Sequence, residues 1–258
     1  MYFRQLVPGK DICVPKTARD AVQDLVFSAS YQLANYVYLV GCSRSKTCFV
    51  VDGCWDSESI ERIAREDGQK IVGAIATHVH FDHVGGKLPS PYDGLGVKIP
   101  GLLELARNEG VHREAYIHES ELKQAVRQTG LKETELRPLV DGSTLSVGSV
   151  HLKFIHTPGH SRGSMCVLVE GEGDEDQGKE TFLLSGDTIF PGSQGRVDLA
   201  ESDPAAMKES LRRLAENLED DTRVYPGHSY GGPFTTLGRE KAGGVLSEFS
   251  RKGPQSRL

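Results

Sequence analysis

The chain has 258 residues, 38% hydrophobic and 26% charged, and its 36 acidic and 30 basic side chains leave a net charge of -6. That balance excludes disorder, fibrous repeats and a membrane span, which needs roughly 18 consecutive apolar residues. Lys and Arg are scattered over a net acidic surface, so no nucleic-acid partner is expected. The length suits one domain, 1–258, large enough to bury a layered core without disulfides. The start, Met1 to Gln5, lacks the basic and apolar pattern of a secretory signal. Cys13, Cys42, Cys48, Cys54 and Cys166 are odd in number and form no C-x-x-C pair, as expected of reduced, buried thiols in a cytoplasmic chain.

After an irregular first thirty-odd residues, β-type runs fall at Tyr36–Val40 and Cys48–Asp52, with a hairpin loop over Gly41–Lys46. Asp56 or Ser57 caps a helix with Ile60, Ile63 and Ala64 on one face, and Gly68 stops it. The unbroken apolar run Ile71–Ala76 reads as a strand buried on both faces. Lys87 to Arg113 is rich in Pro and Gly around a short helical piece, Leu102–Asn108, and is expected to be an insertion able to act as a lid. A strand at Tyr116–His118, a helix over Glu121–Gln128, and strands at His151–Ile155, Met165–Val169 and Thr181–Leu184 follow. The acidic Gly171–Glu180 stretch is expected at a hairpin tip. Asp203-Pro204 opens an amphipathic helix whose Met207, Leu211, Leu214 and Leu218 pack on a sheet. A last strand, Thr222–Tyr225, precedes a tail over 241–258. Interleaved strands and helices predict an α/β or α+β class, helices covering sheet.

Chemistry concentrates in Thr77-His78-Val79-His80-Phe81-Asp82-His83-Val84-Gly85-Gly86. Three imidazoles and a carboxylate within six positions suit a transition metal, and burying them without one would cost heavily. On an extension of the buried strand, His78 and His80 share a face, while Asp82 and His83 diverge at the turn toward a second ion. Three later segments each end an apolar run in a Gly-bearing turn with one metal-type residue: Phe154 to His160, Phe182 to Asp187, and Val224 to His228. Strand ends meet at one sheet edge, so His160, Asp187 and His228 are expected beside the first cluster. His112, His118 and His151 read as ordinary packing or surface residues, and His156 as a possible support for a ligand.

The ordered set Thr-His-x-His-x-Asp-His, Thr-Pro-Gly-His, Ser-Gly-Asp and Pro-Gly-His resembles the metallo-β-lactamase-fold hydrolase superfamily, most closely its glyoxalase II (hydroxyacylglutathione hydrolase) group of single-domain type. The resemblance spans roughly residues 33 to 240. It implies a four-layer αβ/βα sandwich with two divalent metal ions, zinc first and iron or manganese as other occupants. Matched position by position, it gives His78, His80 and His160 to one ion, Asp82, His83 and His228 to the other, and Asp187 to both. It further implies that a hydroxide shared by the ions attacks a small-molecule thioester, with Asp82 orienting it.

The glutathione-holding Cys-Gly-Lys-x-Tyr stretch of that group corresponds to Gln194-Gly195-Arg196-Val197-Asp198, which keeps a cation at Arg196 but no Tyr; Tyr230 is the other candidate substrate contact. An ion pair between Arg196 and Asp198 is an equal reading. Only thirty residues follow His228, too few for the helical domain that completes the glutathione site in two-domain members. The persulfide dioxygenases of the same superfamily offer an alternative: one iron held by His78, His160 and Asp187, with oxygen consumed.

Overall fold

The computed structural model describes residues 1–14, 21–108, 110–172 and 179–249. Six strands form the first sheet: β1 (Tyr2–Leu6), β2 (Val37–Cys42), β3 (Thr47–Val51), β4 (Lys70–Ile75), β5 (Glu114–His118) and β6 (Leu136–Leu139), in that spatial order. The second has β7 (Thr144–Val147), β8 (Val150–His156), β9 (Met165–Glu172), β10 (Lys179–Gly186), β11 (Arg223–Pro226) and β12 (Thr235–Thr236), also in chain order. Each sheet begins with antiparallel pairs and gains parallel ones: β3, β4, β5 and β6 in the first, β10 and β11 in the second.

Period-two alternation sorts the side chains between layers. In β2, Tyr38, Val40 and Cys42 enter the core between the sheets, while Val37 and Leu39 face the outer helices. In β9, Met165, Val167 and Val169 face the other sheet, and Cys166 and Leu168 face outward. Helices α1 (Ala21–Leu33), α2 (Ser57–Glu66), α4 (Leu102–Ala106) and α5 (Leu122–Thr129) supply apolar residues to the outer cluster of the first sheet. Helices α6 (Pro204–Asn217) and α7 (Leu237–Gly243) do so for the second. The result is a four-layer αβ/βα sandwich.

Asp203 caps α6 as expected, accepting from the backbone N–H groups of Ala205 and Ala206, and Met207, Leu211 and Leu214 are buried beneath it. Such a cap contributes about 1 kcal/mol. All five cysteines are free and buried.

Several expectations need correction. The opening is not irregular: β1 pairs with β2, and α1 follows. Asp52 lies just beyond β3 rather than within it, with a positive φ of 52°. The tail begins later than expected, because α7 runs to Gly243 and Leu246 is fully buried; residues 250–258 lie outside the described residues. Within 87–113, Ile99, Leu102, Leu105 and Ala106 are core residues, so the middle of the segment is packed while residues on either side of it, Val111 and His112 among them, lie at the surface. The acidic hairpin tip, 173–178, falls outside the described residues, although β9 and β10 pair on either side of it.

His118 and His156 stack with ring centroids 3.9 Å apart and planes at 11°. Burial, reinforced by the neighbouring His156 and opposed by Asp141, pushes the His118 imidazole down to about 4. A depressed histidine stabilises the fold in its neutral form, fully above about 6.5. That stabilisation is lost as pH falls from 6.5 toward 4. Thermal melts across this window should show a declining Tm that is shallower in His118→Gln; parallel curves would refute the assignment.

Candidate metal centre

Strands β3, β4, β8, β10 and β11 all end at one rim, and the chain turns there carry the polar residues. β4 stops at Ile75, so His78 and His80 lie in an irregular bend rather than on a strand extension, with His80 at the N-terminal end of α3 (Phe81–Val84). They meet without sharing a strand face because they use different ring nitrogens: His78 Nε2 is 3.0 Å from His80 Nδ1, which is 3.0 Å from His160 Nε2. Asp82 and His83 fall on the first turn of α3 and point to a second locus. There His83 Nε2 is 3.3 Å from His228 Nε2, which is 3.4 Å from Asp82 Oδ2.

Asp187 lies between the two groups. Its Oδ1 is 3.4 Å from His83 Nε2, and its Oδ2 is 3.4 Å from His160 Nε2 and 3.3 Å from His228 Nε2. The register between β10 and β11 shifts between Leu184 and Gly186, and such irregularities re-aim side chains beside functional sites. Gly227 is required on the other side: a Cβ there would lie 2.3 Å from Asp187 Oδ1. The structure thus brings all seven expected residues together, all but His80 buried.

What sits behind the imidazoles fixes where their lone pairs aim. His228 Nδ1 donates to the Leu33 carbonyl at 2.6 Å and His160 Nδ1 to the Arg196 carbonyl at 2.8 Å. His83 Nδ1 donates to Asp52 Oδ2 at 2.9 Å and His80 Nε2 to Glu201 Oε1 at 2.7 Å. Thr77 Oγ1 gives its proton to Asp52 Oδ2 and so is an acceptor for His78 Nδ1, 3.1 Å away. In the neutral rings the opposite nitrogens of His78, His80, His83, His160 and His228 carry lone pairs, and these converge at hydrogen-bond distances. Asp187 Oδ1 is buried without a donor. Converging lone pairs and an orphaned carboxylate oxygen are mutually repulsive unless cations lie among them, so the donor set fits two divalent metal ions.

The charges agree. Burial disfavours charge on His83, yet Asp187, Asp52 and Asp82 around it push the imidazole up to about 10. Burial would raise Asp187, but the His228 and His83 rings hold it well below the usual carboxylate range. His78 goes the other way, lowered by burial and by the rings of His83 and His80.

The supporting residues went unmarked in the sequence. Asp52 accepts from Thr77 N at 2.7 Å as well as from Thr77 Oγ1 and His83. Its left-handed backbone is one that Asp tolerates better than most residues. Asn35, fully buried, receives Trp55 Nε1–H on its carbonyl oxygen and donates from Nδ2 to Asp82 Oδ2 at 3.1 Å. Conversely, His156 hydrogen-bonds the Arg162 carbonyl and none of the cluster, so it supports no ligand.

Above the cluster is a cavity of about 500 Å³. Tyr230 lines it and lies parallel to the His228 ring, centroids 4.8 Å apart and planes at 3°. Arg196 also lines it, but its Nε and Nη2 are both bound to Asp198 at 2.8 Å, the ion-pair alternative. Pro89 reaches the cavity from the 87–113 segment.

A sandwich with a paired His/Asp centre at its rim defines a metal-dependent hydrolase fold. The metallo-beta-lactamase superfamily matches residues 31–228, and the chain belongs to that family. It is 30% identical over 203 residues to the human acyl-coenzyme A thioesterase MBLAC2, covering 74% of this chain and 67% of that one. It is 28% identical to a hydroxyacylglutathione hydrolase of Dictyostelium discoideum, over 76% of this chain and 62% of that protein. Among solved structures, TTHA1623 in a di-iron-bound form superposes with a TM-score of 0.59 at 28% identity, covering 82% of this chain and 94% of that one. Among the described residues, no helix is long and apolar enough to cross a membrane.

Proposed function

We propose that the protein is a dinuclear metallohydrolase that cleaves small-molecule thioesters of the hydroxyacylglutathione type, in a cytoplasmic setting that suits its five buried thiols. The observation carrying this reading is the convergence of five imidazole nitrogens with Asp82 and Asp187 into overlapping donor groups at one rim. His78, His80 and His160 would hold one ion, Asp82, His83 and His228 the other, and Asp187 both; the mix of imidazole and carboxylate suits zinc first, then iron or manganese. Two such ions, when bound, lower the pKa of a shared water toward neutrality and polarise an acyl carbonyl.

The chain's own residues supply the rest. Asp82, its Oδ2 anchored by Asn35, faces the cavity and can take a proton from an entering water. Water adds its oxygen to the acyl carbon, the C–S bond breaks, and the sulfur leaves with a proton as the free thiol. Phe190, 5.9 Å from the His228 ring, and Tyr230 shield the reacting centre from bulk solvent on one side.

Elemental analysis of the purified protein together with thiol release from S-lactoylglutathione and short acyl thioesters tests this reading. Two metals per chain with thiol release supports it. One iron per chain with oxygen uptake from glutathione persulfide would replace it by the dioxygenase reading. Chelation should lower Tm in step with metal loss, since ions that bind only the folded state stabilise it by mass action. An unchanged Tm after complete metal removal would contradict the coupling of cluster and fold.

A further inference from the structure

Among the described residues, Arg196 is the one basic side chain other than histidine in the wall of the cavity over the cluster, and Asp198 holds one edge of its guanidinium through Nε and Nη2. Glu201, held by His80, adds a negative charge to the same wall. The remaining wall is largely apolar: Leu33 from the end of α1, Phe81 from α3, Pro89, Phe190, Leu199 and Tyr230, drawn from separate stretches of the chain. Tyr230 remains 44% exposed although it packs on His228 and Phe190. A hydrocarbon chain lying along that apolar wall would replace water there, whereas a carboxylate on the same wall would lose hydration beside Glu201 and an Arg196 already paired with Asp198.

We propose that this cavity receives the acyl half of the thioester and selects for an uncharged, apolar acyl chain, the thiol carrier staying toward solvent. The proposal rests on the thioester hydrolysis read above and departs from its hydroxyacyl group, replacing it by an apolar acyl chain as the preferred substrate class. Asp198 contributes to the exclusion: by holding the Nε–Nη2 edge of Arg196 it competes with any peptide-like carboxylate for the side-on bidentate face of that guanidinium.

The test uses N-acetylcysteamine thioesters from acetyl to octanoyl, so that the carrier is small, uncharged and constant. kcat/KM should rise roughly fourfold per methylene until the cavity is filled. The corresponding S-alkyl thioethers, which cannot be hydrolysed, should bind with the same dependence in calorimetry and with a negative heat-capacity change. Leu199→Asp, a change at a half-buried wall position, should flatten both series. Asp198→Ala should raise turnover of S-lactoylglutathione relative to acetyl-N-acetylcysteamine by freeing Arg196. Turnover and binding that are flat or fall with chain length would overturn the proposal while leaving thioester hydrolysis intact. Thioether binding that lengthens with the chain, without hydrolysis of any thioester, would defeat the catalytic reading and leave the apolar acyl site standing.

Discussion

Asp187→Ala should lose bound metal and hydrolytic activity together, with kcat/KM falling on the order of 10³-fold, equivalent to about 4 kcal/mol of transition-state stabilisation. The reason is positional. Asp187 alone reaches both donor groups, one oxygen toward His83 and the other toward His160 and His228. Removing it leaves the converging imidazoles with less negative charge between them, so each ion is held more weakly and their spacing is no longer set by one rigid group. Asp187→Asn separates charge from shape: the amide preserves the volume beside Gly227 but removes the negative charge between the two donor groups and offers one of them an N–H in place of a ligand oxygen. Metal content by elemental analysis and thiol release measured on the same preparations decide the matter. Wild-type turnover in either variant would refute the assignment of Asp187.

The second large effect is expected at Asp52, which is buried behind the cluster. Its carboxylate accepts from Thr77 N, Thr77 Oγ1 and His83 Nδ1, all buried. Asp52→Ala strands those groups, which should destabilise the fold by roughly 3–5 kcal/mol and lower metal affinity 10- to 100-fold. Asp52→Asn tolerates the same left-handed backbone and keeps an acceptor oxygen, yet it cannot serve every donor. It should therefore lose affinity for metal more than it loses Tm. Chelator competition monitored by elemental analysis, beside thermal melts, distinguishes the two variants. A Tm and metal retention equal to wild type in Asp52→Ala would remove Asp52 from the supporting shell.

The legible part of the site was its donor types. Histidines and carboxylates at the ends of apolar runs can be read because β-strands that share a direction finish at one rim, and the turns after β8, β10 and β11 obey that rule. The local geometry of His78 and His80 was not legible, since which ring nitrogen points inward depends on Thr77 and on Glu201, which is 121 positions away from His80. Asp52 and Asn35 were equally silent: a polar residue after an apolar strand looks the same whether it meets water or a histidine. His156 misled for the converse reason, standing just before the Thr157–His160 turn that carries a cluster residue while its own ring stacks on His118. Helix α1 lacks a clear apolar stripe, with Val22, Leu25 and Tyr31 exposed, and β1 becomes recognisable only through its ladder to β2.

The backbone carbonyls of Leu33 and Arg196 and the carboxylates of Asp52 and Glu201 orient the imidazoles before any ion arrives. Such a cage needs little rearrangement to fill, and neutral imidazoles with hard carboxylate oxygens accept several first-row divalent ions in similar geometry. Selection among those ions would then pass from the polypeptide to its surroundings: the free concentrations met by the newly folded chain would choose the occupant, and a shift in zinc or iron supply would become a shift in what the protein carries.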